Sequence, residues 1–238
     1  MVSFRYLVPN AVTIFSLTLG LTAIAYSVNG QVKDACWLVL LSVMLDKLDG
    51  SLARLLKAES QLGVELDSFA DFVVFGLAPA SILIGVRGGA PIELSLQILP
   101  AWLYVVCCVL RLARFNTVVE SPFKDLFQGV PSTLAGGLVG STVLVALDFF
   151  PDMSAGAPYL SALLGVLAIL MVSPVYIPKV GRSRKRYFQI FTAVNIVVVL
   201  CLILMRIWPE YLCLVAVTYL LVGAVVGGLH VRSARQAA

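Results

Sequence analysis

Eight apolar stretches, residues 8–28, 36–57, 65–86, 97–116, 131–150, 157–174, 187–206 and 209–230, follow one another with only short connections between them. Each is close to the 20 or so residues an α-helix needs to cross the hydrocarbon core, where every backbone N–H and C=O must be satisfied within the segment. Such a series leaves little room for a soluble domain. Composition agrees: 60% of residues are hydrophobic, 13% are charged and the mean hydropathy is +0.98, values that exclude an ordinary water-facing surface. No low-complexity linker and no internal repeat interrupts the series. Residues 1–238 are therefore expected to form a single membrane-embedded domain, an all-α polytopic bundle of about eight transmembrane helices.

Basic residues set the orientation. With the amino terminus in the cytoplasm, that side carries Arg5, Arg54, Lys57, Arg111, Arg114, Lys124, Lys179, Arg182, Arg184, Lys185, Arg186, Arg232 and Arg235, and the other side Lys33, Arg87 and Arg206, a bias of 13 to 3. Both termini and the stretch from Asp46 to Asp71 should face the cytoplasm. The formal charge of +4 is used up in this pattern and calls for no nucleic-acid partner. The run GRSRKR, 181–186, reads first as a topology signal and second as an attractor of anionic headgroups. A cleaved signal peptide ending near Ala23-Ile24-Ala25 would remove a span and spoil the charge bias, so the first stretch reads as a span. Cys36, Cys107, Cys108, Cys201 and Cys213 are odd in number and lack metal-ligand spacing; they read as small buried residues. His230, the one histidine, falls at the end of the last stretch and reads as an interfacial residue.

Against this background, DKLDGSLARLLKAESQLGVELDSFAD is anomalous. Asp46 and Asp49 are spaced to share a helix face with Gly50 and Ala53, and Asp67 and Asp71 share a face of the next helix. A connection near Ala58–Gly63 would fold the two into a hairpin and let four carboxylates converge. Each Asp costs about 2.5–3.5 kcal/mol at a helix centre, less near the interface, an outlay that no structural need explains. Lys47 and Arg54 leave negative charge over, and clustered oxygen ligands suit hard divalent ions, with four carboxylates enough for two. Two such ions imply phosphoryl chemistry, and a spare carboxylate could take a proton from an attacking hydroxyl. The plainer reading makes Asp67 a helix cap and Asp49 a solvated end.

The full spacing, Asp46-x2-Asp49-Gly50-x2-Ala53-Arg54-x8-Gly63-x3-Asp67-x3-Asp71, resembles the signature of the CDP-alcohol phosphotransferases at every fixed position. The resemblance implies an integral-membrane enzyme that moves a phosphatidyl group from a cytidine diphosphate lipid to an alcohol and releases CMP, using two divalent cations, Mg²⁺ or Mn²⁺. By position, Asp46, Asp49, Asp67 and Asp71 would be metal ligands, with Asp71 also the base for the acceptor hydroxyl. Gly50, Ala53 and Gly63 would let the cytidine approach, and Arg54 would hold this region together or touch the nucleotide. DFVVFGLAPA (Asp71–Ala80), RLARFN (Arg111–Asn116) and FQGVPS (Phe127–Ser132) look like the branch whose acceptor is L-serine, the phosphatidylserine synthases. The similarity spans roughly the first 135 residues and leaves the helices after about 150 without a role.

Secondary sites follow. Arg111 and Arg114 could bind the donor's phosphate or the serine carboxylate, since Arg pairs with either anion, or be ordinary cytoplasmic-side cations. Asn10 and Thr13 could reach the nucleotide phosphates, or Asn10 could cap a helix. Gly136-x-x-x-Gly140 and Gly223-x-x-x-Gly227 read as packing faces and secondarily as dimer contacts, and a homodimer is expected. The expected partners are CDP-diacylglycerol, L-serine and membrane lipids, at the cell membrane with the site facing the cytoplasm. Rival readings keep the chemistry with glycerol phosphate, inositol phosphate or choline as acceptor, or make the chain a divalent-cation transporter or a lipid-binding scaffold.

Overall fold

The computed structural model describes residues 4–58, 60–88, 98–117, 126–150, 153–179 and 186–236. In chain order the helices are α1 (Phe4–Val28), α2 (Val32–Leu55), α3 (Gln61–Asp71), α4 (Ala78–Val86), α5 (Leu99–Thr117), α6 (Ser132–Phe149), α7 (Ala157–Val172), α8 (Arg186–Met205) and α9 (Pro209–Gln236). A six-residue π turn, Phe72–Leu77, joins α3 to α4 without a break, so that Gln61–Val86 is one membrane-length rod. A helix thus stands at each of the eight apolar stretches. The chain is a multi-pass, all-α membrane protein.

Six helical segments among the described residues are long and apolar enough to cross a membrane on those grounds alone. The shortfall from eight has two causes. Helix α2 carries Lys33, Asp34, Asp46, Lys47, Asp49 and Arg54, and α8 contributes only the shorter apolar run Thr192–Met205. Boundaries also move: α1 and α2 begin four residues before the expected 8 and 36, α3 begins at Gln61 rather than 65, and α9 continues past 230 to Gln236. Lys124 and residues 181–185 of the basic run lie outside the described residues.

The hairpin between α2 and α3 is built locally. Lys57 adopts a left-handed conformation, φ 50°, and the Ala58 N–H returns to the Ala53 carbonyl at 2.9 Å, closing the end of α2. Ser60 then caps α3, its hydroxyl accepting the Gly63 N–H at 3.0 Å. A Cβ on Gly63 would lie 3.1 Å from that hydroxyl and 3.2 Å from Asn10 Oδ1, so glycine here lets α1 approach α3.

The π turn follows Asp71 directly and breaks the regular i→i+4 ladder, a device common at functional sites. The buried Tyr104 hydroxyl of α5 donates to the Phe75 carbonyl within this turn at 2.8 Å. Tyr104→Phe removes that donor from a site with no exposure to solvent. The expected loss is about 1–3 kcal/mol, read as an earlier thermal unfolding midpoint in detergent.

Both small-residue faces are taken up inside the chain. A Cβ on Gly136 would lie 2.8 Å from the Phe75 ring, and one on Gly140 would lie 3.3 Å from the Cys36 carbonyl. On α9, Gly223 faces Ile177, and a Cβ on Gly227 would collide with the Tyr176 carbonyl. Those last two partners belong to a strand that the apolar pattern conceals: β1 (Leu126–Gln128) pairs antiparallel with β2 (Tyr176–Pro178), with Phe127 opposite Ile177. This two-stranded clip ties the connection before α6 to the one after α7. Of the cysteines, Cys36, Cys107 and Cys108 are buried as expected, whereas Cys201 is exposed on the apolar outer surface of α8.

Candidate active site

Helix α2 brings Asp46 and Asp49 to its final turns, and α3, which like α2 packs on α1, carries Asp67 mid-helix and Asp71 at its last residue. One carboxylate oxygen from each of Asp46, Asp49 and Asp67 lies within 4.8 Å of the others. Asp71 follows Asp67 one helical turn along, on the same face of α3. A rise of about 1.5 Å per residue puts Asp46 roughly 4.5 Å deeper than Asp49, and Asp71 roughly 6 Å deeper than Asp67. The four carboxylates therefore form a shallow pair, Asp49 and Asp67, and a deep pair, Asp46 and Asp71.

The capping alternatives do not describe this arrangement. Ser60, not Asp67, caps α3, and Asn10 lies inside α1 rather than at its start.

Asp49 and Asp71 each have a dedicated hydroxyl neighbour. Asp49, almost fully buried, accepts the Thr13 hydroxyl on Oδ2 at 2.9 Å and its neighbour's N–H, from Gly50, on Oδ1 at 2.6 Å. Thr13 also lies 3.1 Å from the Pro9 carbonyl, so its one proton is committed within the protein. Asp71 Oδ2 accepts the Ser132 hydroxyl at 3.3 Å, and Ser132 accepts Arg111 Nη1 at 2.6 Å. Arg111 is buried with its guanidinium 5.8 Å from the Phe115 ring centre, and it reaches Asp71 through Ser132.

The remaining expected residues divide. Gly50 has only the tip of Arg54, at 3.5 Å, where a Cβ would stand, so internal packing does not require glycine there and the face above Asp49 is left free. Ala53 is half-buried on the same face; Arg54 is exposed, with a 3.4 Å contact to Ser51. Arg114 is anchored instead of free: its Nη2 donates to the Gln128 carbonyl at 3.0 Å and approaches that of Met171 at 3.5 Å. It fastens α5 to β1 and to the end of α7. Sequence reasoning quoted Ser132 only as the end of FQGVPS and gave it no role; here Pro131 holds the cap position and the hydroxyl turns to Arg111 and Asp71.

Among the described residues no lysine or arginine forms an ion pair with any of the four aspartates. Such a cluster of oxygens suits a hard divalent cation.

The model of the CDP-alcohol phosphatidyltransferase family matches residues 6–172, which contain all of these groups. The chain belongs to that family. A CDP-diacylglycerol–serine O-phosphatidyltransferase of Helicobacter pylori (strain ATCC 700392 / 26695) is 34% identical over 198 residues, 82% of each chain. One of Bacillus subtilis (strain 168) is 35% identical over 176 residues, 72% of this chain and 89% of its own. An archaetidylserine synthase of Methanothermobacter thermautotrophicus is 31% identical over 175 residues, 72% of this chain and 70% of its own. As a CDP-alcohol phosphatidyltransferase, the chain has its family-matched part end with α7; α8 and α9 lie beyond it.

Proposed function

We propose that this chain transfers a phosphatidyl group from CDP-diacylglycerol to the hydroxyl of L-serine and releases CMP. The observation that carries the reading is the convergence of Asp46, Asp49 and Asp67 beside Asp71 in a family member whose similar relatives bear serine-transferase names. Asp46, Asp49, Asp67 and Asp71 would hold two divalent cations, Mg²⁺ or Mn²⁺. Bound there, such ions neutralise the diphosphate and the charge that develops on departing CMP.

The protein's own groups do the rest. Gly50 and Ala53 leave a face open for the nucleotide, and Arg54 at its rim supplies positive charge. Gly63 and Asn10 keep α1 and α3 close on the same side, and Thr13 holds Asp49 in place. Arg111 receives the serine carboxylate, with Arg114 fixing the end of α5 on which it stands. Asp71 takes the proton from the serine hydroxyl as the new O–P bond forms and the P–O bond to CMP breaks. The positive charge around the α2–α3 hairpin supports a site on the cytoplasmic side of the cell membrane, where CDP-headgroups meet water and acyl chains remain in lipid. With both glycine faces occupied inside the chain, the proposed homodimer uses another surface.

The test is an acceptor panel with purified protein, CDP-diacylglycerol and Mg²⁺ or Mn²⁺. Serine is expected to yield phosphatidylserine and CMP in equal amounts. Ethanolamine, lacking the carboxylate for Arg111, should be at least about 10-fold poorer, in line with the roughly 1–3 kcal/mol lost when a buried polar group goes unpaired. Product with glycerol phosphate, inositol phosphate or choline but none with serine would move the assignment to that acceptor. Cation flux into proteoliposomes without lipid turnover would replace it with transport.

A further inference from the structure

We propose that Ser132 is a positioning residue for Asp71, acting as the single hydroxyl through which Arg111 and Asp71 are held in line. The inference rests on the function proposed above and extends it to a residue outside the aspartate motif.

The direction of the chain of bonds follows from donor and acceptor counts. A guanidinium has no acceptor, so at 2.6 Å Arg111 Nη1 must donate to Ser132 Oγ. The serine hydroxyl has one proton, and Asp71 Oδ2 at 3.3 Å is the acceptor that takes it. Ser132 has no solvent exposure, so water does not compete for either bond. Its backbone is fixed as the first residue of α6, a helix whose Gly136 is pressed on Phe75 of the π turn that begins just after Asp71. Both ends of the bond are thus anchored by the same packing.

A carboxylate turns easily about its last torsion, which is broad and roughly two-fold. Holding Oδ2 on Ser132 leaves Oδ1 as the oxygen that can face the acceptor hydroxyl. Arg111, tied through one nitrogen, keeps its other N–H groups for the substrate. Ser132 therefore couples the group that binds the acceptor to the group that activates it, without touching the substrate.

The experiment compares wild type, Ser132→Ala and Ser132→Thr, using whichever acceptor the wild type accepts. Ser132→Ala is expected to lower kcat by about 10- to 100-fold, the scale of a reacting group displaced by about 1 Å. Its KM for CDP-diacylglycerol should stay within about twofold of wild type, because Ser132 does not touch the donor. Ser132→Thr, which restores the hydroxyl, should recover most of the rate. In an Asp71→Asn background, Ser132→Ala should cost little more, since residues acting as one unit are not additive. If Ser132→Ala is not recovered folded, Ser132→Cys, similar in shape but a weak donor, is read the same way.

A kcat within threefold of wild type overturns the inference, as does a loss fully additive with Asp71→Asn; the proposed function survives both. A wild-type protein that turns over no acceptor at all removes the function and the inference together.

Discussion

Asp71→Asn is expected to cut CMP release by about 10²–10⁴-fold, the usual worth of a positioned general base, while CDP-diacylglycerol still binds. Asparagine keeps the shape of the side chain and can still accept the Ser132 hydroxyl through its carbonyl oxygen, so the Arg111–Ser132 arm should survive. What it cannot do is take a proton. Initial rates of CMP formation, set beside equilibrium binding of the donor in Mg²⁺, separate the two effects. Turnover near the wild-type rate would move the proton-accepting role elsewhere. Loss of donor binding to the same extent as turnover would make Asp71 chiefly a ligand-holding residue.

Chelation should have an equally large effect. Removal of divalent ions is expected to abolish turnover, and added Mg²⁺ or Mn²⁺ to restore it, with monovalent salt ineffective. The same cluster predicts an opposite effect on stability. Two carboxylates within 4.8 Å of each other repel by roughly 3 kcal/mol or more at an effective dielectric of about 20. Asp67 is the clean place to relieve this, because it makes no hydrogen bond among those of the described residues, whereas Asp49 would forfeit its bonds from Thr13 and Gly50. Metal-free Asp67→Asn should therefore unfold at a higher temperature than metal-free wild type, yet be inactive in Mg²⁺. Thermal scans in detergent with and without chelator measure both. A lower midpoint for the metal-free variant would mean that Asp67 is stabilised by contacts other than a cation.

The apolar stretches and the aspartate spacing were legible because each rests on a strong, local cost. A 20-residue apolar run in a chain of this composition has few places to go but through a bilayer, and four carboxylates on two matching faces demand a reason. Other features depend on contacts between residues far apart. The partner of Thr13 is 36 positions away and that of Ser132 is 61, and neither leaves a periodic trace. Gly63 illustrates the difference: its spacing matched the motif, but only the packed structure puts Asn10 Oδ1 beside it. Arg114 looked like an anion binder because arginine at a helix end commonly is one, and its engagement with the Gln128 carbonyl follows from a strand too short to register in a hydropathy pattern.

The β1–β2 clip bears on how shortened relatives should be viewed. β2 lies just beyond the family-matched part, yet it closes the edge of the strand whose Gln128 carbonyl holds Arg114, and α9 presses on its other side through Gly227. Through α9, the last two helices thus act as a buttress, steadying from outside the end of α5 that presents Arg111. A homologue without them has to brace that rod by some other means, so swapping C-terminal segments between relatives should disturb catalysis even though no reacting group is exchanged.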